Sequence, residues 1–305
     1  MNNNDEKKIP LISILTPTYN REYCISNLFE SLKKQKDINF EWIVIDDGST
    51  DDTYKLFDEL ESNLFEIYFY KKKNGGKHTA INFGVPLCSG KLIFIVDSDD
   101  TLTEDATQKI KEKYIKYQML SDVAGFSFLR KYPDGQINVK SKHNGDYIGS
   151  YNEVRILDNT PGDMAEVYYK NILLEYPFPE FKNERFLGEA IVWIEIGKKY
   201  DLVYINEAIY VSAYLTDGLT NNRRILNIAS PNGSFASAKQ MLSIHLRMKQ
   251  LIIATLQLIV YGKFSNKEYK EIYSQTKHKL VLTLLYLPGL ILYALRKRKY
   301  VVNTN

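Results

Sequence analysis

Four short apolar runs alternate with helix-forming stretches over residues 11–117, and three of the runs end in dense polar clusters. Leu11–Leu15 closes on Thr16-Pro17-Thr18, Glu41–Ile45 on Asp46-Asp47-Gly48-Ser49-Thr50, and Lys91–Val96 on Asp97-Ser98-Asp99-Asp100. Phe65–Tyr70 is the remaining strand. Between the runs, Asn20 is placed to cap a helix whose apolar face is Ile25, Leu28, Phe29 and Leu32. A second helix spans about Asp51–Glu61, with aspartates where the helix dipole favours them, and a third spans Ile81–Leu87. Thr101 with Glu104 reads as a capping box opening a helix to about Tyr117. Units of this size predict an α/β domain with a mostly parallel sheet, in which ligands sit at the carboxyl ends of the strands. Three polar clusters fall at that rim.

The rest is less regular. Val123–Leu129 and Ile137–Lys140 flank the turn Tyr132-Pro133-Asp134-Gly135 and predict a hairpin. Glu166–Lys170, Leu202–Ile205 and Ile209–Tyr214 read as strands, and Gly188–Lys199 as a helix. From Ser237 onward the pattern is helical, through Met241–Tyr261 and Glu268–Leu287. At 44% apolar and 25% charged, 305 residues suffice for a large core and exclude a disordered or disulfide-stapled chain. Cys24 and Cys88, at no metal-like spacing, fit a reducing compartment, and the polar start MNNNDEKK carries no secretory signal pattern. The net charge of +3 conceals an asymmetry. Residues 241–305 hold eleven Lys/Arg against two Glu, a net of +9, leaving −6 for residues 1–240.

The Asp97-Ser98-Asp99-Asp100 cluster carries the sharpest chemistry. Carboxylates in Asp-x-Asp spacing at a strand end suit a hard divalent cation, Mn2+ or Mg2+, which takes its other ligands from water and substrate phosphates. The competing structural reading is that they cap the next helix. No Gly-x-Gly-x-x-Gly follows the first strand and no Gly-Lys-Ser/Thr occurs, so dinucleotide binding and P-loop hydrolysis lose support. Asn74-Gly75-Gly76-Lys77 is either a phosphate-approaching loop, with Lys77 as a point charge, or a plain turn. His78, His143, His245 and His278 are scattered and read as structural.

As an ordered set, TPTYN, DDGSTDD, NGGKHTAIN and DSDD resemble the nucleotide-sugar-binding half of family 2 glycosyltransferases over about residues 9–215. The resemblance implies a GT-A fold: a Rossmann-like, mostly parallel sheet with helices on both faces. It implies an inverting, single-displacement, hexosyltransferase-type enzyme using a nucleoside-diphosphate sugar, UDP-sugars being favoured. Carried over, Thr16 and Tyr19 line the nucleoside pocket, and Asp47 accepts from the base edge. Ser98 and Lys77 contact the donor, and Asp97 with Asp99 hold the metal, Asp99 the more directly. The family's general base is a carboxylate, often in a Glu-Asp pair opening a helix. Here Glu189 is followed by Ala190, which makes Glu189 the candidate, with Glu184 and Glu195 behind it. Tyr214 and Asp217–Thr220 stand where such enzymes have a loop that closes over the donor, with Arg223 and Arg224 nearby. The processive members' Gln-x-x-Arg-Trp motif is absent. Two rivals remain: an inactive sugar-nucleotide-binding module, and a metal-dependent nucleotidyltransferase.

The chain divides by expectation into a catalytic domain at 1–236 and a helical, basic extension at 237–305. In the extension, Leu280–Leu295 is apolar, interrupted by Pro288-Gly289, and followed by Arg296-Lys297-Arg298-Lys299. The run reads as too short and broken to span a bilayer and predicts an interfacial segment on anionic headgroups. An oligomer interface is the second reading, and nucleic acid is disfavoured for want of any binding module. A lipid-linked glycan acceptor in surface-polysaccharide assembly, reached from the cytoplasmic face, explains such a tail.

Overall fold

The computed structural model describes residues 9–139, 144–160, 162–212 and 219–302. Strands β1 (Ile12–Thr18) and β2 (Phe40–Asp46) are buried along their whole length, as near-continuous apolar runs in a two-sided sheet should be. With β3 (Glu66–Lys71) and β4 (Leu92–Ile95) they pair in parallel, β1 lying between β2 and β4. The rest of the sheet is built from β6 (Val123–Lys131), β8 (Met164–Tyr169) and β9 (Asp201–Val211), with the short strands β5 (Thr101–Leu102) and β7 (Tyr147–Ser150). The order is β3-β2-β1-β4-β8-β6-β9-β5, and β7 pairs with the first half of β9. Strand β8 runs antiparallel to both β4 and β6, so the sheet is parallel in its first half and mixed overall.

Helices cover both faces. On one side α1 (Ile25–Lys33), α2 (Thr53–Glu59) and α4 (Ala106–Tyr117) pack Ile25, Leu28, Phe57 and Ile110 against Trp42, Val44 and Phe94. On the other, α3 (Lys77–Gly84), α5 (Lys170–Glu175) and α6 (Ala190–Ile196) pack Ile81, Leu173 and Trp193 against Leu15, Ile43 and Tyr168. Then follow α7 (Leu219–Ala229), α8 (Pro231–Met241), α9 (Met248–Phe264), α10 (Tyr269–Ser274) and α11 (Lys279–Lys297). Their separate core contains Phe235, Leu258, Ile259, Ile272 and Leu282. The expected division at 236/237 falls inside α8, which contributes to that core while also contacting α6.

Several local expectations are corrected. Asn20 does not cap α1. It adopts a positive φ of 51°, and its side-chain oxygen accepts from the Thr50 amide at 2.8 Å. Thr101 does not open a capping box, because Thr101–Leu102 pairs with Val211 and Tyr210 of β9, and α4 starts after Asp105. The two strands expected between Leu202 and Tyr214 are the single, bulged strand β9, and Tyr214 lies outside the described residues. The hairpin return reduces to one bridge, Lys131 to Ile137, and Lys140 is likewise not described. Pro288 does not break α11. Helical backbone runs continuously over the 22 residues Lys279–Tyr300, the one described helix long and apolar enough to cross a membrane by length and composition. Pro288 removes one backbone bond to Leu284, but both residues are exposed, so water can satisfy the orphaned carbonyl.

Between α4 and β7, Asp146 collects Tyr117 at 2.7 Å, Lys113 at 3.0 Å and Lys116 at 3.0 Å. Burial opposes its charge, but these hydrogen bonds outweigh it and hold the carboxyl below its usual range. A depressed folded-state pKa stabilises fully above the unfolded value of about 3.9 and is lost as pH falls through the folded value. Asp146→Asn is therefore expected to cost about 1 kcal/mol in urea unfolding at pH 7. The gap from the parent chain should close as pH drops below 4, and a gap independent of pH would contradict the assignment.

Candidate functional site

The rim at the strand ends is assembled by side chains binding neighbouring loops. The loops after β1 and β2 are joined by Asn20 N–H to Ser49 Oγ at 2.8 Å and by Glu22 N–H to Asp51 Oδ2 at 3.2 Å. Asp47, at the end of β2, accepts from the Gly75 amide at 2.9 Å, the Gly76 amide at 2.6 Å and the Lys72 ammonium at 2.7 Å. Gly76 has φ +96°, and a Cβ there would lie 1.9 Å from the Arg185 carbonyl oxygen, so only glycine fits. The two glycine amides of the Asn74–Lys77 loop face Asp47 rather than an open phosphate site, and the loop's exposed chemistry is the Lys77 side chain.

Lys77 opens α3 and reaches into a cleft between two carboxylates. Its Nζ lies 2.5 Å from Asp97 Oδ1 and 2.8 Å from Glu189 Oε1. All three side chains are partly exposed, at 27%, 28% and 30%. Burial by itself lowers the ammonium's pKa, but Asp97 and Glu189 overcome that and raise it. Asp97 is in turn held low against its own burial, first by Lys77 and then by Arg130. The rest of the loop goes the other way. Burial, then the charge of Asp97, raises Asp99, and the same two causes push Asp100 up to about 7.

Glu189 is positioned by α6, whose N-terminus it forms. Trp193 stacks on Tyr168 of β8 with ring centroids 4.4 Å apart, and the Ile194 carbonyl accepts from Asn152 at 3.1 Å. The other candidate acids are engaged elsewhere. Glu184 accepts from the Asn232 and Gly233 amides at 2.8 and 2.7 Å, fixing the start of α8. Glu195 bonds Lys198 at 2.6 Å and also Gln240, joining α6 to α8.

Of the expected donor residues, Tyr19 is exposed at the rim, while Ser98, in the loop after β4, is buried. Thr16 is a correction: it is fully buried and its hydroxyl accepts from the Trp42 indole at 3.0 Å, which makes it part of the core. Asp47 is 3% exposed, and both its oxygens accept from the Gly75–Gly76 loop, so it holds the rim. Tyr214, Asp217 and Gly218 lie outside the described residues.

Sequence reasoning missed Arg130 and Tyr210. Arg130 of β6 lies over the Tyr210 ring at 4.0 Å and 3.8 Å from Asp100 Oδ2, and the Tyr210 hydroxyl accepts the Asp97 amide at 3.0 Å. Glu166 of β8 was missed as well. Burial raises its carboxyl to about 7, against the pull of Arg130 and Arg155.

The residues present fit a hard divalent cation. Their donors are all carboxylate oxygens, Asp99 is accessible at 21%, and the charge of Asp97, which adds to burial in raising Asp99 and Asp100, is what a bound cation offsets. No group of three or more His/Cys/Asp/Glu converges among the described residues.

A glycosyl transferase family 2 model matches residues 13–171, just over half of the chain, and the chain belongs to that family. Among curated relatives, Escherichia coli chondroitin synthase is 38% identical over 110 residues, 36% of this chain and 16% of that protein. The Campylobacter jejuni GalNAc(5)-diNAcBac-PP-undecaprenol beta-1,3-glucosyltransferase is 25% identical over 210 residues, 67% of this chain and 64% of that protein. The chain thus spans less than two thirds of the length of either. Among solved structures, S. aureus TarS 1-349 in complex with UDP-GlcNAc aligns with a TM-score of 0.58 at 18% identity, over 95% of this chain and 91% of that one. The mannosyltransferase PcManGT from Pyrobaculum calidifontis, in complex with GDP-Man and Mn2+, aligns with a TM-score of 0.56 at 15% identity, over 95% and 85%. These two likenesses establish the GT-A fold.

Losing the Tyr210 hydroxyl leaves the Asp97 amide without its partner. Tyr210→Phe should lower the unfolding free energy by about 1–3 kcal/mol in urea titration. An unchanged midpoint would show that the loop does not depend on that bond.

Proposed function

We propose that the chain is an inverting, metal-dependent glycosyltransferase that moves a sugar from a nucleoside diphosphate, UDP-linked by preference, to a hydroxyl of a lipid-linked glycan. The observation that carries this reading is the Lys77 bridge, which holds Asp97 and Glu189 in one cleft. Asp99, with Asp97, is the carboxylate that would hold Mn2+ or Mg2+. When bound, the ion supplies charge neutralisation for the departing diphosphate.

The chain's own residues supply the rest. Tyr19 offers an exposed ring at the rim for the nucleoside base. Ser98 lies in the loop facing the donor. Lys77 adds positive charge where negative charge develops on the leaving diphosphate. Glu189 removes the acceptor hydroxyl's proton as its oxygen attacks the anomeric carbon. The bond from that carbon to the diphosphate oxygen breaks with its electron pair on the leaving group, so one displacement inverts the centre. The engagement of Glu184 and Glu195 in α8 contacts supports Glu189 as the base.

A lipid-linked acceptor is the substrate class in the printed name of the Campylobacter relative, and it suits a surface-polysaccharide enzyme working at the cytoplasmic face of a membrane.

Nucleoside diphosphate release from a panel of nucleotide sugars, with Mn2+ present, tests the proposal. Asp99→Ala and Glu189→Gln should each lower turnover by about 100-fold or more. Indifference to both substitutions would favour an inactive binding module. Pyrophosphate release from a nucleoside triphosphate would instead identify a nucleotidyltransferase.

A further inference from the structure

The exposed apolar side chains of α11 are not scattered. Leu280, Leu284, Leu287, Ile291 and Leu295 recur every three or four residues and are 75%, 69%, 67%, 55% and 61% exposed. That spacing puts them on one side of the helix. The opposite side is anchored. Leu282 is fully buried, and Gly289 lies so close to Ile259 that a Cβ would come within 2.6 Å of its Cγ2. Tyr293 packs edge-on against Phe264 at 4.8 Å, Tyr286 against Tyr269 at 4.7 Å, and Thr283 shares a hydrogen bond with the Tyr269 hydroxyl at 3.0 Å.

Length and composition alone allow this helix to cross a bilayer, since 22 residues reach about 33 Å. A spanning helix would have to expose its whole circumference to lipid, stripping α11 from the α9 and α10 contacts that bury Leu282 and Gly289. A helix lying in the interface needs only one apolar side, which is what the fold leaves open. Its C-terminal end carries four consecutive cations, Arg296, Lys297, Arg298 and Lys299. The Lys297 and Lys299 ammonium groups lie over the Tyr293 and Tyr300 rings at 5.8 and 5.3 Å. Apolar side and cationic end together match acyl chains beneath anionic headgroups.

We infer that α11 is an in-plane anchor seating this domain on an anionic lipid bilayer through Leu280, Leu284, Leu287, Ile291 and Leu295, without crossing it. The inference deepens the lipid-linked-acceptor reading by naming the surface that meets the membrane. It is nevertheless testable without any acceptor.

The full chain is sedimented with vesicles of phosphatidylcholine alone and of phosphatidylcholine with about a third phosphatidylglycerol. Binding is expected to the anionic vesicles only, to weaken with added salt, and to be reversed by high salt or alkaline carbonate. Leu284→Asp and Ile291→Asp, at exposed positions outside the core, should each lower partitioning more than about tenfold. Circular dichroism and donor turnover in solution should stay at the parent level, so failure here is separable from failure of the catalytic reading. Carbonate-resistant association would overturn the in-plane arrangement in favour of a spanning helix. Equal binding to both vesicle types, or no binding to either, would overturn the anionic surface. A vesicle-free dimer by light scattering that the two substitutions convert to monomer would assign the stripe to a second copy of the chain instead.

Discussion

Two backbone amides and one ammonium converge on the Asp47 carboxylate, and the geometry of the strand-end rim follows from that convergence. Asp47 sits at the end of a fully buried strand, so its position is set by the sheet. By binding the amides of Gly75 and Gly76 it fixes where α3 begins, and so where Lys77 is aimed. Lys77 then joins the loop after β4 to Glu189, the N-cap residue of α6. A nearly fully buried carboxylate thus determines which charges meet inside the cleft. Charge-assisted bonds to buried groups suit this task, because losing one leaves an unpaired charge in a poorly solvated place.

The electrostatic balance of the cleft is uneven. Lys77 and Arg130 hold Asp97 low, while its neighbours Asp99 and Asp100 are raised by burial and by the charge of Asp97. One loop therefore carries both a carboxylate held low and two carboxylates held high. That inequality fits a site that accepts positive charge together with an anionic substrate. The acidic body of the chain is partly this rim, and five of the eleven cations of its basic end belong to α11 and the residues after it.

Much of this was legible in the sequence because its causes are local. Strands β1, β2 and β4 announced themselves as apolar runs, since they are buried on two sides and leave no position for alternation, while β3 is the partly exposed edge strand. The polar clusters marked the rim because a short loop between a buried strand and a helix holds little else. What was not legible depends on distant pairing. Thr101 carries a plausible capping signal, yet it pairs with Val211, 110 positions on, and the β-ladder wins. Arg130 lies within an ordinary strand pattern and reaches the Asp97 loop only because β6 lies beside β9, where Tyr210 supports it. The role of Asp47 in holding the Gly75–Gly76 loop was hidden because its partners, the glycine amides, leave no side-chain signature. Pro288 looked like a break, but its exposure lets α11 continue through it, while Gly289 lets the helix approach Ile259 closely.

The central claim is that the rim is a donor site in which a divalent cation and a nucleoside diphosphate bind together through Asp99. Isothermal titration of UDP into the full chain, with and without Mn2+ and repeated on Asp99→Ala, tests it most directly. The account predicts binding that requires Mn2+ in the parent chain and disappears in Asp99→Ala. UDP binding of equal strength without the ion, or undiminished in the variant, would contradict it.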